Sequence, residues 1–225
     1  MSIFETFLNY RVFVETLPLI LSGLMTTLTL GVTCIIVGFV AGIFLAMLRL
    51  YAARPVRLIT IAYIDVFRSI PVLVLLFVVY YALPFAGIRL SSFTSAAAAI
   101  SMVSAAYSAE IVRAGIEAVP RGQFEAARAL GLHFVFTMRK VVLPQALRIV
   151  VPPLTSNAIN VIKDTALASV VAMPDLLKQA NQAQALAANP TPLIVAAAIY
   201  LLILLPLVRL VGVLERQFAR NRHAA

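Results

Sequence analysis

The sequence predicts an all-α integral membrane protein of about five transmembrane helices, with its N-terminus outside, its C-terminus cytoplasmic and one short helix held in the cytoplasm. Three observations carry that prediction. Of the 225 residues, 62% are hydrophobic and only 12% charged, whereas a soluble domain is about 45–50% apolar and about 25% charged. Several uncharged or nearly uncharged runs match or exceed the roughly 20 residues that cross the hydrocarbon of a bilayer. The basic residues fall mainly in every second connection between those runs, so the net charge of +9 reads as a membrane topology signal and not as a nucleic-acid surface. The whole chain, 1–225, forms one transmembrane domain in contact with lipid.

The first span is expected at about 17–47, inside the charge-free stretch Thr16–Leu48. The residues before it, including Arg11 and Glu15, lack the basic start of a cleaved leader, and the run is too long for a signal core. Gly31, Gly38 and Gly42 recur along it, and Gly38–Gly42 is a GxxxG pair that lets two helix backbones approach closely. Packing inside the subunit is favoured over a dimer seam. Arg49, Arg54 and Arg57 follow, with Pro55 breaking the helix. A second span is expected at about 59–83, with Pro71 inside it and Asp65 and Arg68 near its start. Those two stand three apart on one helix face and can neutralise each other.

The third span, about 92–116, is rich in Ala and Ser, small residues suited to close helix contact. Glu110 and Arg113 stand three apart in its last turns. Pro120 and Gly122 then break the helix, and Gly131 ends a short stretch of good helix formers at about 122–131. The fourth span, about 145–172, is interrupted by Pro152, Pro153 and Lys163-Asp164-Thr165. The fifth, about 192–213, leads into a basic tail with Arg216, Arg220 and Arg222. Thirteen of the eighteen Lys and Arg residues fall on the side of Arg49–Arg57, Arg113–Arg148 and the C-terminal tail. That side is the cytoplasm, and the 122–131 helix lands there, within reach of a cytosolic partner.

No catalytic or metal-ligating set stands out. Cys34 is the lone cysteine and lies in an apolar segment, and His133 and His223 are too far apart for a local metal motif. There is no G-x-x-x-x-G-K-[ST] stretch to hold ATP phosphates, no Ser/His/Asp set and no carboxylate pair suited to acid–base chemistry. A secondary transporter would carry more spans and an internal repeat, and none is evident. Charged groups at membrane depth are functional candidates by default. Asn157, Asn160 and Asp164 continue one helix face, while Lys163 points about 100° away. Asp164 either lines a substrate path or pairs with Arg68.

Several spaced blocks resemble the permease subunits of binding-protein-dependent ABC importers, in the polar amino-acid uptake branch. Glu125-Ala126-Ala127, then Gly131, then Val141-Val142-Leu143-Pro144 matches that family's cytoplasmic signature, with Val for the usual Ile at position 141. Phe67-Arg68-Ser69-Ile70-Pro71, Tyr107–Arg113 and Lys163-Asp164-Thr165-Ala166-Leu167 resemble further blocks of the amino-acid branch, where Ser is commoner than Ala at position 166. The similarity spans about Leu17 to Phe218.

The resemblance implies a transporter subunit of a bacterial inner membrane and not an enzyme. It implies a second permease, identical or homologous, two copies of a cytoplasmic ATPase that carry the ATP and Mg, and an extracytoplasmic amino-acid-binding protein; this chain would bind no cofactor. It further implies that Gln123, Phe124, Glu125, Ala126, Ala127, Arg128, Leu130 and Gly131 form a coupling helix seated in the ATPase. Phe124 and Leu130 would be its apolar anchors, Ala126 and Ala127 would permit close docking, and Glu125 and Arg128 would supply charged contacts. Candidate substrate-path residues are Asn157, Asn160, Lys163, Asp164, Thr165, Arg68 and Glu110.

Overall fold

The computed structural model describes residues 6–222, with side chains through 217, so His223 and the side chains of Arg220 and Arg222 lie outside the described residues. Among the described residues there is no strand.

The longest element but one-sidedly buried is α1, Tyr10–Tyr51, of 42 residues, about 63 Å at 1.5 Å per residue. The Asn9 carboxamide oxygen caps its start by accepting the Val12 N–H at 3.2 Å, and Arg49 sits in its last turn, where a cation suits the helix dipole. Its buried stripe is small: Gly23, Thr27, Gly31, Cys34, Gly38, Gly42 and Ala46 recur every three or four residues. That stripe packs along α4, Ser92–Glu117. A Cβ on Gly38 would lie 2.4 Å from Ser104 Oγ, and one on Gly42 would lie 2.4 Å from Ser108 Cβ. The GxxxG pair therefore packs within the subunit, as the sequence favours.

The second predicted span is not one straight helix. It divides into α2, Arg54–Ser69, and α3, Val72–Phe77, which continues through a π turn, Val78–Ala82, and a 3-10 turn ending at Ala86. The two arms are bent by 103°. Pro71 is the cause: it has no N–H to give, and it drives the residue before it out of the helical region. Ile70 accordingly sits at φ −83, ψ 128. The Asp65–Arg68 pair is not formed either, because Arg68 turns toward Tyr107 on α4.

Next come α5, Arg121–Ala129, and a single turn α6, Phe134–Thr137, which runs through a π turn, Met138–Val142, into α7, Leu143–Asp164. A 3-10 segment, Thr165–Val171, leads to α8, Leu176–Ala187, and α9, Thr191–Arg222. By length and apolarity three helices can cross a membrane, α1, α4 and α9 as far as Gln217, and the bent α2–α3 pair makes a fourth if counted as one span. α7, within the predicted fourth span, is less apolar, with Asn157, Asn160, Lys163 and Asp164 in its second half.

The main core gathers Leu30 and Cys34 of α1, Leu76 of α3, Ala99 and Ile100 of α4, and Val161 of α7. A second cluster, Ile20, Leu176, Ala180, Val195 and Ala196, joins α1, α8 and α9. At the far end Met47 and Leu50 of α1 meet Ile116, Val119, Met138 and Val142, with Phe124 of α5 packed against them. That end carries Arg49, Arg113, Arg121, Arg128, Arg139 and Lys140, the basic residues from which the cytoplasmic side is predicted.

Candidate functional site

A cavity of about 390 Å³ opens where α2 breaks into α3. The break supplies Arg68, Ser69, Ile70 and Pro71, α4 supplies Ile100, Val103, Ser104 and Tyr107, and α7 supplies Asn157, Asn160, Val161 and Asp164. Each contribution follows from local chain behaviour. Pro71 turns the chain and leaves the backbone around Ser69 facing the cavity. Ser104 and Tyr107 are three apart on α4, and Asn157, Asn160 and Asp164 recur at three and four on α7, so each set shares a helix face.

The polar groups of the wall divide into those that are engaged and those that are free for a ligand. Asn157 is engaged: its amide nitrogen donates to Ser108 Oγ at 3.1 Å, to Ser104 Oγ at 3.4 Å and to the Ser104 carbonyl at 3.5 Å. It straps α7 to α4 and leaves only its carboxamide oxygen for the cavity. Tyr107 is also held, donating its hydroxyl to the Arg68 carbonyl at 3.4 Å. The Arg68 guanidinium carbon lies 5.4 Å from the Tyr107 ring centroid, a cation–π contact that positions the head group without neutralising it. Asp164 is half-buried and makes no ion pair; among the described residues the ion pairs are Arg11–Glu15, Arg49–Glu110, Arg113–Glu110 and Arg113–Glu117. One cation and one carboxylate, neither held in an ion pair, thus face the same cavity.

The remaining substrate-path candidates stand elsewhere. Thr165 is fully buried, and its hydroxyl folds back to donate to the Ile162 carbonyl at 2.6 Å, so it does not reach the cavity. Lys163 is exposed and outside the lining, as its 100° offset requires. Glu110 belongs to a network: Arg49 Nη1 of α1 meets it at 2.9 Å, while Arg113, which also pairs with Glu117, holds it from one turn further along α4. Sequence reasoning missed Tyr107, Ser69 and Ser104 as wall residues. Only the 3.6-residue register from Ser104 through Tyr107 to Glu110 hints at them.

At the basic end α5 is built as its flanking residues predict. Pro120 precedes it at φ −55, ψ 135. Gly131 takes φ +71, so that its N–H reaches the Arg128 carbonyl at 2.9 Å while the Leu132 N–H reaches the Ala127 carbonyl at 3.0 Å, the paired bonds of a left-handed helix end. Phe124 and Ala127, expected on the partner-facing side, turn inward: Ala127 is buried and Phe124 packs on Ile116, Val119, Met138 and Val142. The Gln145 amide also donates to the Gln123 carboxamide oxygen at 3.3 Å. The free face includes Glu125, Ala126, Arg128 and Leu130, with Leu130 78% exposed. The reason is hydrophobic: a nine-residue helix carrying one phenylalanine gains most by burying it against its own chain.

Residues 38–220 match the model of the binding-protein-dependent transport system inner membrane component family. The chain is 33% identical to a probable glutamine ABC transporter permease protein, GlnM, of Bacillus subtilis, covering 95% of this chain and all of that one. It is 36% identical to the arginine transport system permease protein ArtQ of the same organism, over 95% of this chain and 99% of the other. A solved structure, the crystal structure of an amino acid ABC transporter with histidines, superposes with a TM-score of 0.87 at 36% identity, covering 96% of this chain and all of that one. The family match over most of the chain, and relatives alike from end to end, agree with the blocks at Glu125–Gly131 and Arg68–Pro71: the protein belongs to the inner-membrane permease components of binding-protein-dependent ABC transporters, among those for amino acids.

Proposed function

We propose that this permease forms the translocation path for a polar amino acid delivered by an extracytoplasmic binding protein, and that α5 couples it to a separate cytoplasmic ATPase. It would work with two ATPase copies, which hold ATP and Mg, and a second permease in a bacterial inner membrane. The observation that carries this reading is the cavity at the α2–α3 break, where Arg68 and Asp164 stand unpaired on facing elements. An amino acid carries one carboxylate and one ammonium, so a single guanidinium and a single carboxylate complement it. Discontinuous helices at membrane depth commonly line such sites, because the freed backbone groups face a cavity and not lipid.

The coupling half of the reading rests on the exposed face of α5. Glu125 and Arg128 are three apart, exposed and without an ion pair among the described residues. The sequence has no G-x-x-x-x-G-K-[ST] stretch to hold ATP phosphates, so energy would enter through a contact with another polypeptide. Two substitutions test the halves separately in cells deleted for the native permease. Asp164→Ala is expected to abolish amino-acid uptake while the ATPase still co-purifies. Glu125→Lys is expected to lose the ATPase and uptake together while the permease still inserts. Normal uptake by either variant removes that residue from its assigned role.

A further inference from the structure

We infer that the cavity at the α2–α3 break selects amino acids whose side chains are uncharged and hydrogen-bonding, of the carboxamide kind, over cationic or acidic ones. The inference rests on the reading of this cavity as the amino-acid site and narrows it. Its basis is a charge count over the cavity wall. The wall holds one cation, Arg68, and one acid, Asp164. Both are consumed by the groups every amino acid carries: the α-carboxylate at Arg68 and the α-ammonium at Asp164.

Nothing charged is then left in the wall for a side chain. Of the other acids near Arg68, Asp65 is exposed and absent from the lining, and Glu110 is already bound by Arg49 and Arg113. The nearest further cation to Asp164 is Lys163, which is exposed and absent from the lining. A third charge brought in by lysine, arginine or glutamate would be desolvated without a partner, which is costly at membrane depth. The neutral polar groups are the ones left over. Asn160 presents a whole carboxamide, since none of its hydrogen bonds is made within the chain among the described residues, and Asn157 presents its carboxamide oxygen once the nitrogen is taken by Ser104 and Ser108. Ser69 adds a hydroxyl, although it already donates to the Asp65 carbonyl at 2.7 Å. A side-chain carboxamide both donates and accepts, and so complements Asn160 and Asn157 together.

The test uses the purified permease–ATPase complex in nanodiscs, without binding protein, so that the permease alone does the selecting. Labelled L-glutamine is the probe, with L-arginine, L-lysine, L-glutamate and L-leucine as competitors. Glutamine is expected to bind at least tenfold more tightly than any of the four. Arg68→Gln and Asp164→Asn are each expected to weaken glutamine binding tenfold or more. Asn160→Asp supplies the missing second acid, and is expected to shift preference toward arginine by tenfold or more, a gain that a misfolded protein does not give. Arginine or glutamate binding the unaltered complex as tightly as glutamine, with binding still lost in Arg68→Gln and Asp164→Asn, would overturn the selectivity and leave the site standing. Glutamine binding indifferent to all three substitutions, or no amino acid binding at all, would overturn the site and the selectivity with it.

Discussion

Replacing Gly42 by alanine is the sharpest test of how the bundle is held together. The added Cβ would lie 2.4 Å from Ser108 Cβ, 3.0 Å from the Ala105 carbonyl oxygen and 3.1 Å from the Ala109 nitrogen, where ordinary contact begins at 3.4 Å. Two of these are backbone atoms and the third is a Cβ, so no rotamer change relieves them, and α1 must move away from α4 by about 1 Å. Overpacking of this kind costs about 1–3 kcal/mol. The displacement also disturbs Ser108, which holds the Asn157 amide, and a hydrogen bond is worth about 1 kcal/mol. Against this, alanine gains up to about 1 kcal/mol over glycine in helix propensity. The net expectation is a loss of about 2 kcal/mol, or roughly 4–8 °C in Tm for a domain of this size.

The assay is thermal unfolding in detergent, with Gly122→Ala and Gly212→Ala as controls. Both control glycines have nothing within 4 Å of a built Cβ and no positive φ, so alanine there is expected to leave the protein unchanged or to stabilise it by about 0.4–1 kcal/mol. The same substitution, glycine to alanine in a helix, thus has opposite signs at the two kinds of site. If Gly42→Ala melts with the controls, α1 does not approach α4 through this stripe.

Two further outcomes are expected. Asp175, fully buried at the start of α8 with one oxygen bonded by the Lys178 N–H at 2.8 Å, has its carboxyl pushed up to about 6 by burial, from 3.8. The folded state therefore holds this proton more tightly than the unfolded one: the burial penalty is felt in full above pH 6 and relieved as pH falls from 6 toward 4. Asp175→Asn keeps the capping oxygen, so it is expected to raise Tm at pH 7–8, by up to about 3 kcal/mol of stability, and to flatten the curve between pH 6 and 4; parallel curves for the two proteins would refute the assignment. Ala114→Pro places a break in α4 at an exposed position between Glu110 and Ile116 and is expected to leave ATPase assembly intact while uptake per ATP hydrolysed falls at least tenfold; an unchanged ratio would show that α4 need not be continuous.

How much of this was legible in the sequence depended on how far apart the partners lie. α5 and its ends could be read locally, since Pro120 and Gly131 act on their own backbone, and the Glu110–Arg113 pair lies within one helical turn. The small-residue stripe of α1 was legible as a pattern, but its partner was not: Gly42 meets Ser108 across more than sixty residues of chain. The same limit explains Arg68. Its predicted partner was Asp65, three residues away, yet it turns over Tyr107, thirty-nine residues on, because a ring face and a cavity were available there. The break at Ile70 was misread for a different reason. Hydropathy sums over a window, so Ile59–Leu83 scored as one apolar run although Pro71 marked the bend. Phe124 was assigned to a partner because a short polar helix offers no sign of which side its own chain will cover.

These particulars give the two walls of the cavity different mechanical characters. α4 is 26 residues without a proline, and it carries Ser104 and Tyr107 in the cavity, Glu110 in the charge network and Ile116 against Phe124. From Tyr107 to Ile116 is about 13 Å along the axis, all of it regular helix. If α5 couples to an ATPase as proposed, a push delivered through Phe124 would reach one cavity wall along a continuous rod, steadied on α1 by Arg49–Glu110. The facing wall at Ile70–Pro71 has no such continuity: two arms meet at 103° through residues that make no helical hydrogen bond across Pro71. A rod opposite a joint changes the width of the space between them when the rod tilts, and the Ala114→Pro variant breaks the rod while sparing the joint. The wall that would move with α5 bears Tyr107, which positions Arg68, so under the proposed function a tilt of α4 would alter both the room for an amino acid and the placement of the cation proposed to hold its carboxylate.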